Sequence, residues 1–313
     1  MSRQTVALHA KHPSFAAIPR TVVVLAFDEL LLLNAAGPLE VFAAIPRLLG
    51  GPFASHPPYR LVLVSPAGGQ ITSVSGISVN TLSLEQLDRQ APVIDTLIVA
   101  GGPGVSALEA SVQVCSWLRS RAAHIRRLCS IGTGTFALAA AGLLDGRKVV
   151  THWKFAAELQ ARYPALQCQS EGLYLHDANL WTCAGAAAGI DLALGLVEQD
   201  LGAHAALELA RYFTVFLWRS AKQPQLSASL NAQSRALRTD PDVRLVRLHG
   251  WIAANLQSDL RVETLAEQFG MSPRHFARAY VATTGHTPAQ AVELLRLDAA
   301  CQLLKNTSEP IKR

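Results

Sequence analysis

The run TVVVLAF, Thr21–Phe27, narrows the choice of fold more than any other stretch. It is continuously apolar and lacks the alternation of a strand with one wet face. Such a run suits a strand buried on both faces, as in a parallel sheet covered by helices. YRLVLVS (Tyr59–Ser65), DTLIVAGG (Asp95–Gly102) and RLCSI have the same character. Helical patterns fall between them. GPLEVFAAIPRLL sets Leu39, Phe42 and Ala43 at helical spacing, and a helix is predicted from about Ala107 to Arg126. ITSVSGISVN reads as a small hairpin turning at Gly76. After RLCSI the pattern predicts a short strand near Val149 and a helix over Ala156–Tyr163. Short strands near Tyr174 and Trp181 follow, then a helix over Ala187–Leu201. Strands alternating with helices imply an α/β fold with a doubly wound, mostly parallel sheet.

SIGTGTFALAAAGLLDG, Ser130–Gly146, has the layout of a nucleophile elbow: a strand, a tight turn and an Ala-rich helix. Its apex is Gly132, which has no side chain. Ligands of doubly wound sheets sit beyond the carboxyl ends of the strands. LLNAAGPLEVF, AGGPGV (Ala100–Val105) and the elbow all fall at such ends. The small residues of AGGPGV let backbone N–H groups approach a ligand.

A length of 313 residues suits about two domains. The net charge of +5 permits nucleic acid as a partner without requiring it. The cysteines, Cys115, Cys129, Cys168, Cys183 and Cys301, are scattered, with no CxxC pair and no cluster of metal-ligand spacing. That pattern argues against a disulfide framework or structural zinc, and no cofactor is expected. No apolar run reaches the roughly 18 residues of a membrane span. Residues 1–20 read as a loose tail rather than a secretion signal, so the expected location is cytoplasmic.

The last third changes character. Residues 219–242 are polar, carry Pro224 and Pro241, and read as a linker with some helix near Ser229–Leu237. VRLVRLHGWIAANL follows, an amphipathic helix with Val243, Val246, Leu248, Ile252 and Leu256 apolar. In RVETLAEQFGMSPRHFARAYVATTG, a helix over Val262–Phe269 places Leu265, Ala266 and Phe269 on one face. Gly270 ends it as a left-handed cap. Ser272 is a good N-cap and Pro273 sits at the first helical position. Phe276 and Tyr280 turn inward, while Arg274 and Arg278 share another face. The pattern fits a helix-turn-helix whose basic stripe enters a major groove, or an ordinary helical hairpin with a solvated arginine face.

LLNAAGPLEVF, AGGPG, SIGTGTFALAAAGLLDGRKVVTHW and AGAAAGIDLALGLV resemble the PfpI-type, class I glutamine-amidotransferase-like domain. The resemblance spans about Thr21–Leu230 and implies a flavodoxin-like sheet. It is nearest to the version fused to an AraC-type DNA-binding domain in GlxA-type regulators. HTPAQAVELLRLDAACQLLKNT resembles the long connecting helix of that domain. The implied organisation is a tail (1–20), a PfpI-like sensor domain (21–218), a linker (219–242) and an AraC-type domain (243–313).

The resemblance implies a cysteine at the elbow apex, as in SICTGAF, and in the hydratase-like branch an acid in the first loop, as in LDLAGP. Those positions hold Gly132 and Asn34. A glycine cannot attack, and an asparagine cannot serve as a carboxylate base. Cys129 reads as a core thiol, and Cys183 near the AGAAAG turn stays open. His152 has no nucleophile to activate. No catalytic residue is assigned. The expected pocket comprises Asn34, Gly102, Gly132, Thr133, His152 and Trp153, with Asn34 and Thr133 hydrogen-bonding a small polar ligand. His152 and Trp153 read equally as packing against the sheet edge. Arg274, Ala277 and Arg278 fall on the base-reading positions of the resembled helix-turn-helix.

AraC-type domains carry two such units, and this sequence stops at SEPIKR, where the second would begin. DNA binding by this form is therefore expected to be weak and non-specific. The leading reading is a DNA-binding regulator, with a homodimer expected. Its inactive sensor domain would bind a small polar effector, such as the nitrogen-containing metabolites to which such regulators respond. The alternatives are a hydratase- or amidase-type enzyme with a non-standard nucleophile, and a scaffold with an empty pocket.

Overall fold

The computed structural model describes residues 19–90, 93–215, 219, 221, 223–226 and 243–306. The side chains of residues 243, 244, 246 and 301–306 are left out of that description. Most of the tail, the helix expected near Ser229–Leu237 and the terminal SEPIKR lie outside the described residues. The chain divides between Gln225 and Leu226 into two compact units.

The first unit is the doubly wound sheet. Its strands are β1 (Arg20–Leu25), β2 (Tyr59–Ser65), β3 (Gly69–Thr72), β4 (Ser78–Ser83), β5 (Thr96–Val99), β6 (Arg127–Ile131), β9 (Tyr174–Asp177) and β10 (Leu180–Cys183). They run in the order β3-β4-β2-β1-β5-β6-β10-β9. The six strands from β4 to β10 pair in parallel, and antiparallel β3 and β9 close the two edges. The apolar run of β1 occupies the centre, and Val22, Val23, Val24 and Leu25 are fully buried. The hairpin at Gly76 forms as expected, with that glycine at φ 79°.

The helices are α1 (Leu33–Leu49), α2 (Pro52–Ser55), α3 (Leu84–Gln90), α4 (Val105–Ala110), α5 (Val112–Ala122), α6 (Gly134–Ala140), α7 (Ala156–Arg162), α8 (Ala188–Leu201) and α9 (Ala203–Tyr212). Three details depart from the sequence reading. The helix expected over Ala107–Arg126 is two, because Ser111 adopts extended backbone and its side chain accepts the Val114 N–H as the N-cap of α5. The buried stripe of α1 runs through Val41, Phe42, Ala44 and Ile45, while Ala43 faces solvent. The strand near Val149, β7 (Lys148–Val150), pairs with the unforeseen β8 (Gln167–Gln169) in a separate two-stranded sheet.

The amino end of the sheet is tied by charge. Asp200, whose side chain is covered near the end of α8, accepts hydrogen bonds from Tyr59, Arg126 and Arg127. Burial would raise its carboxyl, but Arg127 and Arg126 outweigh that and hold it below the usual range.

The second unit is all-α: α10 (Val243–Ala254), α11 (Val262–Phe269), α12 (Pro273–Thr284) and α13 (Pro288–Asn306). Leu248, Ile252, Leu265, Ala266, Phe269, Phe276 and Tyr280 pack one core. Gly270 caps α11 in the left-handed region, at φ 73°. Ser272 occupies the N-cap position of α12, yet its side chain makes no capping bond. Its carbonyl instead accepts the Phe276 N–H. No described helix is long and apolar enough to cross a membrane.

Candidate functional site

Four strand ends converge at the carboxyl edge of the sheet. The first turn of α1, which follows β1, carries Asn34, and the loops after β5, β6 and β10 carry Gly101–Gly104, Gly132 and Ala184–Ala186. They border a cavity of about 550 Å³, lined by Leu31, Phe136, Phe155 and Val105 among the apolar residues. That volume suits a small molecule.

Gly132 forms the floor. It holds φ 55°, the strained apex of an elbow, and its N–H bonds to the Cys183 carbonyl. Its own carbonyl accepts the hydroxyls of Thr135 and Thr151. A Cβ at this position would come within 3.3 Å of the Gly185 Cα. The missing side chain thus leaves a tight but open spot beside a second glycine.

Asn34 does not present a free amide. Its Nδ2 donates to the Gly101 carbonyl at 3.0 Å, and its Oδ1 accepts the Ala186 N–H at 2.6 Å. The side chain lines the cavity but clamps two of the bordering loops together. Thr133 is similarly engaged. Its Oγ1 accepts the Gly102 N–H at 2.8 Å and donates to the Gly102 carbonyl at 3.1 Å. The sequence reading offered both side chains to a ligand; the geometry gives them first to the backbone.

The glycines of AGGPG serve the same closure. A Cβ on Gly102 would lie 2.5 Å from the Glu29 carbonyl oxygen, and one on Gly104 only 1.9 Å from that of Asp28. These residues let two loops touch, and the Gly102 N–H is already used.

His152 lines the cavity, whereas Trp153, exposed at 45%, is not among the lining residues. The two rings lie 5.4 Å apart. Burial, and then Lys154, lower the His152 pKa, and its Nδ1 accepts the Lys154 N–H. The imidazole is therefore neutral at pH 7, with its proton on Nε2. The charged lining was not foreseen. Glu109 on α4 accepts Arg162 Nη2 at 2.8 Å and the Tyr163 hydroxyl at 2.9 Å through one oxygen, Oε1. Arg162 also contacts Glu158 and lies over the Phe136 ring.

Two thiols near the elbow, Cys183 and Cys129, are held away from the thiolate form. Cys183 is fully buried, and burial pushes its thiol up to about 12. Cys129 is equally buried and is pushed up further by the same cause. A reactive thiol needs the opposite shift. Among the described residues no group of acidic, histidine and cysteine side chains is placed to hold a metal.

In the helical unit, Arg274 and Arg278 are exposed on α12, and Ala277 is half-buried between them. No described carboxylate pairs with either arginine.

The two units together define a transcription regulator: a doubly wound α/β domain with a cavity at its strand ends, followed by a DNA-binding helix-turn-helix domain. Residues 20–199 match the DJ-1/PfpI family, and residues 265–313 match a helix-turn-helix domain of the AraC type. The chain belongs to the DJ-1/PfpI family. It is 32% identical over 252 residues to the HTH-type transcriptional regulator CdhR of Pseudomonas aeruginosa, covering 80% of this chain and 71% of that protein. It is 27% identical over 287 residues to the HTH-type transcriptional regulator GlxA of Rhizobium meliloti, covering 89% and 83%. An isonitrile hydratase of Pseudomonas putida is 32% identical over 179 residues, 57% of this chain and 71% of that enzyme.

Proposed function

We propose that the cavity above Gly132 is an effector site without catalytic activity, and that its occupant controls DNA binding by the helical unit. The observation that carries this reading is the elbow itself. Its geometry is kept, its apex is Gly132, and the carboxylate of the hydratase-like pattern is replaced by an amide committed to backbone. An enzyme needs a nucleophile and a base there; a binding site needs only the shape.

The effector we propose is small, polar and nitrogen-containing. Glu109 and Glu158 set two negative charges against the one positive charge of Arg162, and His152 adds none. Glu109 uses Oε1 for its protein partners and leaves Oε2 for a ligand donor. Phe136 and Phe155 suit an apolar body attached to that head. Arg274, Ala277 and Arg278 are proposed to read base edges from a homodimer in the cytoplasm.

The test is a thermal melt of the full chain with a panel of amino acids, primary amines and quaternary ammonium compounds. A ligand at about 100 times its Kd adds about 2.7 kcal/mol of stability. The expected result is a hit whose effect is lost in Glu109→Gln. A panel with no hit counts against the effector class. Turnover of a panel member or of an isonitrile, followed by NMR, would restore the enzyme reading.

A further inference from the structure

The first unit ends in a short segment, Arg219–Gln225, of which residues 219, 221 and 223–225 are described. The sequence reads this segment as the start of a polar linker. Its described residues are instead fastened to the sheet domain at three points, each one step from the cavity.

At the first point, the Arg219 backbone N–H donates to Asp191 Oδ1 at 3.0 Å and its guanidinium to Oδ2 at 2.7 Å. Asp191 is buried in the first turn of α8, the helix that starts just after cavity residues Ala184–Ala186. At the second, the Ala221 carbonyl accepts the Leu173 N–H at 3.0 Å, and the Leu173 carbonyl in turn accepts the N–H of cavity residue Ala184 at 2.9 Å. At the third, Gln225 Oε1 accepts the Trp153 N–H at 2.9 Å and its Nε2 donates to the Thr151 carbonyl at 3.0 Å. These bonds bracket His152, and the Thr151 hydroxyl bonds to the Gly132 carbonyl at 2.7 Å.

We infer that Arg219–Gln225 is a releasable strap through which the state of the cavity is passed to the DNA-binding unit. This inference builds on the effector reading above. Two of the three fastenings reach residues bonded to or next to lining residues, Leu173 beside Ala184 and Thr151–Trp153 around His152, and the third holds the first turn of α8, so a shift of Gly132, His152 or Ala184 changes the strap's hold. The strap is also not optimally satisfied. Gln223 Oε1 is buried with no partner among the described residues. An unpartnered buried acceptor weakens the fastened state and brings the released state within reach of a ligand's binding free energy.

Limited trypsin digestion of the full chain tests the strap without any ligand. Cleavage after Arg219 reports release, and cleavage after Arg89, exposed on α3, is the internal reference. Gln225→Ala removes two hydrogen bonds and should speed cleavage after Arg219 about tenfold relative to Arg89. Gln225→Glu keeps the acceptor for Trp153 and loses the donor to Thr151, so it should give a smaller increase. Thr151→Val touches the elbow but not the strap through its side chain, and should also accelerate cleavage after Arg219. Rates after Arg219 equal to wild type in all three variants overturn the inference. So does an increase shared equally with Arg89, which reports general unfolding. Because no ligand is used, the strap can fail while the effector panel succeeds, and the reverse.

Discussion

Replacing Asn34 with aspartate puts the clamp to a test whose sign depends on pH. Asn34 is 3% exposed and holds two backbone groups, the Gly101 carbonyl at 3.0 Å and the Ala186 N–H at 2.6 Å. An aspartate can copy the acceptor. It can copy the donor only when protonated, because an ionised oxygen would face the Gly101 carbonyl. The folded state therefore favours the protonated acid and raises its pKa above the unfolded value of about 3.9. For an acid raised in this way, stability is intact below the unfolded pKa and falls as pH rises toward the folded pKa. The loss is about 1.4 kcal/mol per pH unit, so roughly 1.5 kcal/mol at pH 5. It levels off once the folded group ionises, at the roughly 3–5 kcal/mol of an uncompensated buried charge. At about 2–4 °C per kcal/mol for a unit of this size, Asn34→Asp should melt roughly 6–20 °C below wild type at pH 8. The deficit should be only a few degrees at pH 5. Calorimetric melts of both proteins across this range give the difference directly. A deficit independent of pH, or a melting temperature at pH 8 equal to wild type, would refute the clamp.

Two further outcomes concern the helical unit. Arg274→Ala and Arg278→Ala should each weaken binding to a selected duplex by about 1–3 kcal/mol while leaving the fold intact, as measured by fluorescence anisotropy. An equal loss on every sequence would mean that the arginines touch only phosphate. His249 is buried in the core with its Nε2 2.6 Å from the Tyr280 hydroxyl, and burial lowers its pKa. A base depressed in the folded state stabilises fully above its unfolded pKa of about 6.5 and loses that contribution below it, by up to about 1.4 kcal/mol per unit. Urea unfolding of the helical transition should therefore show stability falling from pH 7 to pH 5. His249→Phe should flatten that slope.

What could be read from the sequence was what repeats locally. The strands β1, β5 and β6 were legible because burial on both faces leaves short runs dominated by apolar residues, and β2 because it keeps a similar run with one side only partly covered. The helix-turn-helix was legible because Gly270, Ser272–Pro273 and the Phe276–Tyr280 spacing are all set within a few residues of each other. Asn34, Gly102, Gly132, Thr133 and His152 of the cavity wall were legible at the strand ends, but Glu109, Phe155 and Arg162 were not, because they come from α4, α7 and the turn before it, and no local period links them. The Asn34 clamp was equally hidden, since its partners lie 67 and 152 residues away. Glycine shows the limit best. Gly132 and the glycines of AGGPG look alike as letters, and both were read as room for a ligand. At Gly132 a Cβ would fit only tightly, 3.3 Å from the Gly185 Cα, so the glycine adds little room to the cavity floor but does not hold loops in contact. At Gly102 and Gly104 the space is filled by the Glu29 and Asp28 carbonyls, so the same absence closes the site instead of opening it. Which of the two a glycine does depends on a neighbour some 70 residues away in the chain, and this is why the elbow could be recognised from sequence while the loop that holds it had to be seen.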